Sequence, residues 1–198
     1  MPPPHIKVSR GRHSLVLAFP SFKVAIKIYR RGLLANAKKE FEFLRTLSEK
    51  KFNVPKPYEL IIHEYPILVR EYIEGKHLKD FFNESSPNEI VKVLKDLLII
   101  AHKLDNENIF LDELSYPTKN VIVTKDLRVY IIDLERAVRT RNRSNVTQLL
   151  GFLYRIGISS SVLKQKLENH INFNVIRRLG QIYKVKREIK CVLDEFFL

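Results

Sequence analysis

Two oxygen donors bracket one short stretch of this chain. Asn120 stands at the entrance, and Asp133 at the exit, of Val121-Ile122-Val123-Thr124, a polar turn at Lys125-Asp126 and Val129-Tyr130-Ile131-Ile132. Two runs of β-branched residues around a polar turn predict a hairpin. An amide and a carboxylate at its ends suit a hard cation such as Mg²⁺, which takes one or two protein oxygens and fills its other positions with water and phosphate. A phosphate needs a cationic partner, and Lys27 is the candidate. It ends the apolar string Val24-Ala25-Ile26, and alternate strand residues share a face, so Lys27 points inward if Ala25 does. An inward lysine requires an anion, either a phosphate or a carboxylate.

The elements that must position these groups follow from periodicity. Lys7 to Tyr29 alternates as β-structure and predicts two strands with a reversal at Pro20-Ser21. Within it, the polar segment Ser9 to Ser14 has Gly11 as its one glycine and offers backbone N–H groups and arginine charge to phosphates. Leu33 to Lys50 is helical, with Leu33, Leu34, Ala37, Phe41, Leu44 and Leu47 recurring at three and four. Glu40 lies at the margin of that apolar face and is a candidate to reach Lys27. Tyr58–His63 and Ile67–Glu71 predict two further strands. The second runs straight into Glu71-Tyr72-Ile73-Glu74-Gly75, whose free backbone N–H and C=O groups suit a purine edge.

Ser86-Pro87-Asn88-Glu89 is a helix start with serine at the N-cap, proline at N1 and glutamate at N3. A long helix apolar on several faces follows it. Beyond Asp133 come a basic run, Arg136, Arg139, Arg141 and Arg143, and helical segments over 145–154, 161–167, 175–183 and 185–197. The order sheet, helix, sheet, helices predicts an α+β protein of two lobes. The N-lobe covers 1–73, and the C-lobe covers 74–198 and contains the hairpin region 113–133.

Composition narrows the function classes. The formal net charge is +13 with a pI near 9.8, which favours polyanionic partners such as nucleotides or RNA. One cysteine, Cys191, excludes an internal disulfide and a cysteine-rich zinc cluster, and reads as a small buried hydrophobe. His63 and His77 are isolated and read as incidental. No apolar run approaches the ~20 residues of a membrane span. The start, Met1 to His5, lacks the apolar core of a signal peptide, so a soluble, cytoplasmic protein is expected.

Taken together, Val24-Ala25-Ile26-Lys27, Glu40-Phe41-Glu42-Phe43-Leu44, Leu68 to Gly75, Asn120 and Ile131-Ile132-Asp133 resemble the protein-kinase fold in order. Glu113-Leu114-Ser115-Tyr116-Pro117-Thr118-Lys119-Asn120-Val121 and Asn145-Val146-Thr147 resemble, more closely, the small archaeal predicted serine/threonine kinases related to the RIO and KEOPS-associated kinases. The resemblance implies that Lys27 holds the α- and β-phosphates of ATP with Glu40 paired to it. It implies that the Glu71 carbonyl and Ile73 N–H face the adenine, and that Asn120 and Asp133 bind Mg²⁺.

The chain departs from the usual protein-kinase pattern in three places. Leu111-Asp112-Glu113 replaces His-Arg-Asp, and Glu113 stands seven positions before Asn120 instead of five. Glu113 and Asp112 are both candidates for the base. Asp133-Leu134-Glu135 replaces Asp-Phe-Gly, and no Ala-Pro-Glu segment follows. The expectation is an atypical kinase that phosphorylates Ser/Thr, either on itself or on a protein, including one bound to RNA. The alternatives are a nucleotide-binding pseudokinase and a basic nucleic-acid-associated protein that uses the same fold.

Overall fold

The computed structural model describes residues 6–159 and 161–198. Met1 to His5, read above for a signal core, lie outside them. The chain forms two compact units, one reaching to Gly75 and including Tyr130–Ala137, the other made of Lys76–Val129 and Val138–Leu198.

The first unit is an antiparallel sheet covered by a helix. Its strands are β1 (Lys7–Arg10), β2 (Ser14–Phe19), β3 (Val24–Tyr29), β4 (Pro57–Ile61) and β5 (Ile67–Glu71), in the order β1-β2-β3-β5-β4. Three strands therefore stand where two are expected between Lys7 and Tyr29. The reason is local: the Gly11 N–H donates to the Ser14 carbonyl at 2.8 Å, closing a tight turn. Ser9 and Arg10 then pair with Val16 and Leu15. All of β1 is exposed, so its polar side chains do not oppose pairing.

The helix α1 (Leu34–Glu49) lays Ala37, Glu40, Leu44 and Leu47 in one buried stripe. Strand alternation buries Ala25, Lys27 and Tyr29 on β3, and Leu68 and Arg70 on β5. Register sets Lys27 opposite Leu68 and Ala25 opposite Arg70. Two cations thereby enter the core beside the one buried carboxylate of α1, Glu40.

The second unit begins with β6 (Lys76–His77) and α2 (Leu78–Glu84), a helix that the sequence reading leaves out although Leu78, Phe81 and Phe82 supply its buried face. The long helix α3 (Pro87–Asn106) starts with the full capping box, since Ser86 Oγ accepts from the Glu89 N–H and the Glu89 carboxylate accepts from the Ser86 N–H. It buries Ile90, Val93, Leu94, Leu97, Leu98, Ala101 and Leu104. After β7 (Ile109–Phe110) and β8 (Val121–Val123), a turn closes through the Thr124 N–H and the Arg128 carbonyl at 3.0 Å. The expected hairpin then continues as β9 (Val129–Ile131), along which the chain re-enters the first unit.

Returning to the second unit, β10 (Val138–Arg139) pairs with β7, and the helices α4 (Asn145–Gly157), α5 (Val162–Leu167), α6 (Ile176–Lys186) and α7 (Ile189–Phe196) follow. At Gly157 a Cβ atom would stand 2.6 Å from the Phe173 ring, so glycine allows α4 and the Phe173 segment to meet. Cys191 is half-buried, its sulfur 3.9 Å from Glu188, and is not the core residue expected. The fold is thus α+β, with an N-terminal antiparallel sheet and a helical C-terminal part. Among the described residues, no helix is long and apolar enough to cross a membrane.

Candidate active site

The first unit gathers Lys27, Glu40 and Asp133. Lys27 Nζ lies 2.6 Å from Glu40 Oε2 and 3.1 Å from Asp133 Oδ1. Glu40 has no exposed surface and sits at the centre of the buried α1 stripe, not at its margin. A carboxylate at that depth demands several donors. Besides Lys27, it accepts from the Tyr29 hydroxyl at 2.5 Å and from Arg70 at 3.3 Å. Arg70 also donates to the Ile132 carbonyl, which ties β5 to the residue before Asp133.

These contacts set the protonation states. Burial alone would lower the pKa of the Lys27 ammonium, but the charges of Glu40 and Asp133 outweigh it and hold the group above its ordinary value. Burial likewise works to raise the Asp133 pKa, and the Lys27 and Arg70 charges reverse it, holding the carboxyl below the usual range. Burial and the Glu40 charge push the Tyr29 phenol far up, so it stays protonated and donates.

Three carboxylates, Glu40, Asp133 and Glu135, place oxygens within 4.8 Å of one another. That centre already holds a cation. Lys27 Nζ reaches all three, at 2.6, 3.1 and 3.9 Å. A metal fits instead at the outer side of Asp133, whose side chain is 35% exposed. Its Oδ1 accepts from Lys27 and from the Glu135 N–H, whereas Oδ2 accepts no hydrogen bond among the described residues. An ionised, part-exposed carboxylate with one oxygen to spare suits Mg²⁺.

Glu135, the charge that stands in place of a glycine, is buried and held. His13 Nδ1 lies 2.5 Å from its Oε1, and Asn36 donates to the same oxygen at 2.9 Å. His13 belongs to the turn that contains Gly11, whose amide is engaged with Ser14. At the end of β5, the Glu71 carboxylate accepts from the Lys56 N–H at 3.1 Å. Ile73 is buried, and its N–H has no acceptor among the described residues.

The remaining candidates lie in the second unit. Asp112 and Glu113 open a short 3-10 turn, Asp112–Ser115, in which Glu113 is 3% exposed and Asp112 is half-buried. One face of α4 fixes this segment. Asn145 accepts from the Leu111 N–H at 2.8 Å and donates to the Ile109 carbonyl at 2.7 Å. Gln148 donates to the Leu111 and Asp112 carbonyls at 2.8 and 3.2 Å, and Arg155 to the Ser115 carbonyl at 2.6 Å. Asp105, buried at the end of α3, anchors the start of α4 through Ser144 Oγ at 2.7 Å and the Asn145 N–H at 2.6 Å. Asn120 turns its amide nitrogen toward the Glu113 carbonyl at 3.5 Å, which leaves its amide oxygen as the atom it offers a metal.

Sequence reading misses Arg70, Tyr29, Gln148, Asp105 and the pair His13 and Glu135. For Arg70 a signal existed, because it shares the strand face of the apolar Leu68. For His13 and Glu135, 122 positions apart, there was none.

Comparison with known proteins decides the family. A family model described as the RIO domain matches residues 23–151, more than half of the chain. The chain belongs to the RIO domain family. This is an atypical kinase family, and the RIO match contains Lys27, Glu40, Asp112, Glu113, Asn120 and Asp133. An uncharacterized protein of Methanocaldococcus jannaschii is 28% identical over 115 residues, which cover 58% of this chain and 97% of the relative.

Solved structures similar to this RIO chain share the kinase and phosphotransferase fold. The aminoglycoside phosphotransferase APH(3'')-Id of Streptomyces rimosus has a TM-score of 0.63 at 11% identity, over 91% of this chain and 86% of that one. WbdD, solved with the kinase inhibitor LY294002, has a TM-score of 0.54 at 18% identity over 87% of this chain. The match spans only 44% of the WbdD chain. The Cydia pomonella granulovirus kinase PK-1 has a TM-score of 0.51 at 13% identity, over 68% of this chain and 52% of that one.

Proposed function

We propose that this RIO-domain protein transfers the γ-phosphoryl group of ATP, with Mg²⁺, to a serine or threonine hydroxyl of a cytoplasmic protein or of itself. The observation that carries this reading is Lys27, a buried ammonium kept charged by Glu40 and Asp133 on the inner face of β3. In this reading Lys27 takes the α- and β-phosphates while Glu40 keeps it aimed. The Glu71 carbonyl and Ile73 N–H take the adenine edge, and the Gly11 turn covers the phosphates. Asp133 and Asn120 would hold Mg²⁺, which would supply positive charge to offset the charge that develops on the phosphates.

Of the two candidate bases, Asp112 is the more exposed, and in this reading it is the one that meets the hydroxyl. It accepts the hydroxyl proton as the new oxygen–phosphorus bond forms and the bond from the γ-phosphorus to ADP breaks. Wild type, Asp133→Ala, Asp112→Ala and Glu113→Ala incubated with γ-labelled ATP test the scheme. Label in wild type that is lost with Asp133→Ala and Asp112→Ala is expected. Equal background in all four overturns catalysis, and loss with Glu113→Ala alone moves the base to Glu113.

A nucleotide-binding pseudokinase is the second reading, favoured by the ties of His13 and Asn36 that hold Glu135. It predicts stabilisation by ATP without label transfer.

A further inference from the structure

The second unit contains a cavity of about 540 Å³ built from residues that the proposed phosphotransfer does not use as ligands or as base. Arg143, Lys184 and Arg187 line it, with Phe110 and the amides of Asn142 and Gln148. Their positions are fixed from below. The Arg143 guanidinium lies 5.3 Å from the centre of the buried Phe110 ring. Arg187 caps α6 with a left-handed backbone, φ 55°, and donates to the Arg141 carbonyl at 3.3 Å.

Counter-charge is scarce there. Asp105 lies 3.7 Å from Arg187 NH1, but it is buried and its oxygens already accept from Ser144 and Asn145. Among the described residues neither Arg143 nor Lys184 pairs with a carboxylate. The Asp105 contacts also occupy the start of α4, so the helix terminus is not what draws an anion. Three cations around one concavity repel one another, and an anion relieves that repulsion.

The shape and surroundings narrow the class of anion. A single phosphorylated side chain would engage the cavity alone. Here Arg141, whose carbonyl accepts from Arg187, and Lys186, next to Arg187 in the chain, are further exposed cations, on a chain of net charge +13. That pattern matches a ligand with repeated charge. Asn142, which lines the concavity and is exposed, offers an amide that suits a ribose 2′-hydroxyl. We propose that this cavity binds a phosphate of single-stranded RNA, with Arg143, Lys184 and Arg187 on one phosphate and Arg141 and Lys186 on its neighbours.

The test is fluorescence anisotropy of a labelled 12-residue oligouridylate, without ATP, over a range of salt concentrations. Arg143→Ala/Lys184→Ala is expected to weaken binding roughly tenfold and to flatten the salt slope by up to about 0.7, the value for one neutralised phosphate of a single strand. Lys92→Ala/Lys125→Ala removes the same charge from exposed positions outside the cavity and is expected to bind as wild type. Equal loss in both double variants overturns the site, as does a phosphoserine peptide or the matching DNA displacing the probe at lower concentration than unlabelled RNA. Should the cavity variant melt early, Lys184→Glu, changed at an exposed position, gives the same reading, and unchanged affinity there overturns the proposal. Transfer of label from ATP plays no part in this measurement, so its outcome is independent of the proposed kinase activity.

Discussion

Arg70 NH1 reaches Glu40 Oε1 at 3.3 Å from the strand next to the one that carries Lys27, so one fully buried carboxylate is held by two cations and a phenol. Breaking a buried pair costs about 3–5 kcal/mol because it leaves a charge uncompensated. Arg70→Met still leaves Glu40 with Lys27 and Tyr29. It also removes Arg70 Nε, a buried donor that has no partner among the described residues. The expected loss is therefore lower, about 2 kcal/mol in urea unfolding. Arg70→Lys is expected to recover less than half, since a point ammonium does not serve both Glu40 and the Ile132 carbonyl as the fork does. Wild-type stability in Arg70→Met would show that Glu40 does not need its second cation.

The same cluster gives a signed pH dependence. Asp133 is held below its ordinary 3.8, so its contribution is complete above that value and is lost as pH falls through the folded-state pKa. Lys27 is held above 10.5, so its contribution is complete below that value and is lost as pH rises through the folded-state pKa. Between about pH 5 and 9 these two groups add no slope. Urea midpoints measured from pH 3 to 11 should fall at both ends. Asp133→Asn should flatten the acid limb selectively, and an unchanged acid limb would assign it to other carboxylates.

Much of this geometry is readable from residue order, and the unread part has a physical cause. The string before Lys27 gives its inward face, because period-two alternation fixes both neighbours at once. The Ser86 box fixes the start of α3, because its four residues satisfy each other's backbone groups locally. Arg70 escapes because an arginine on a strand is ordinarily expected outside, and only the buried Glu40 reverses that. Gln148 and Asp105 escape because their partners are carbonyls and amides 36 to 40 positions away, which no side-chain pattern marks. The β1 strand escapes because it is exposed and polar, so its hydrogen bonds alone define it.

Gly157 offers a packing test. A methyl group there would meet the Phe173 ring at 2.6 Å, so Gly157→Ala forces a shift of α4 or of that ring. Overpacking of this kind costs about 1–3 kcal/mol, against which alanine's better helix propensity returns less than ~1. Thermal melts should show a net loss. Gly157→Ala/Phe173→Leu should recover part of it, and a lack of recovery would place the strain elsewhere.

Asn145 makes the sharpest demand on residue type. Its Oδ1 accepts from the Leu111 N–H, and its Nδ2 donates to Asp105 Oδ1 at 2.8 Å and to the Ile109 carbonyl at 2.7 Å. An amide satisfies both needs at once. Asn145→Asp keeps the acceptor for Leu111 but removes the donor and sets a second carboxylate against buried Asp105. Like charges at that distance cannot both ionise cheaply, so the variant should take up a proton on folding. Its stability should lie more than ~2 kcal/mol below wild type at pH 7, and the gap should narrow as pH falls toward 5, where the pair shares a proton. Asn145→Ala, which has no charge to titrate, should lose a similar amount with no such narrowing. Parallel pH profiles for the two variants would mean that repulsion from Asp105 contributes nothing, and that the loss comes only from the side-chain bonds of Asn145 to Leu111, Ile109 and Asp105.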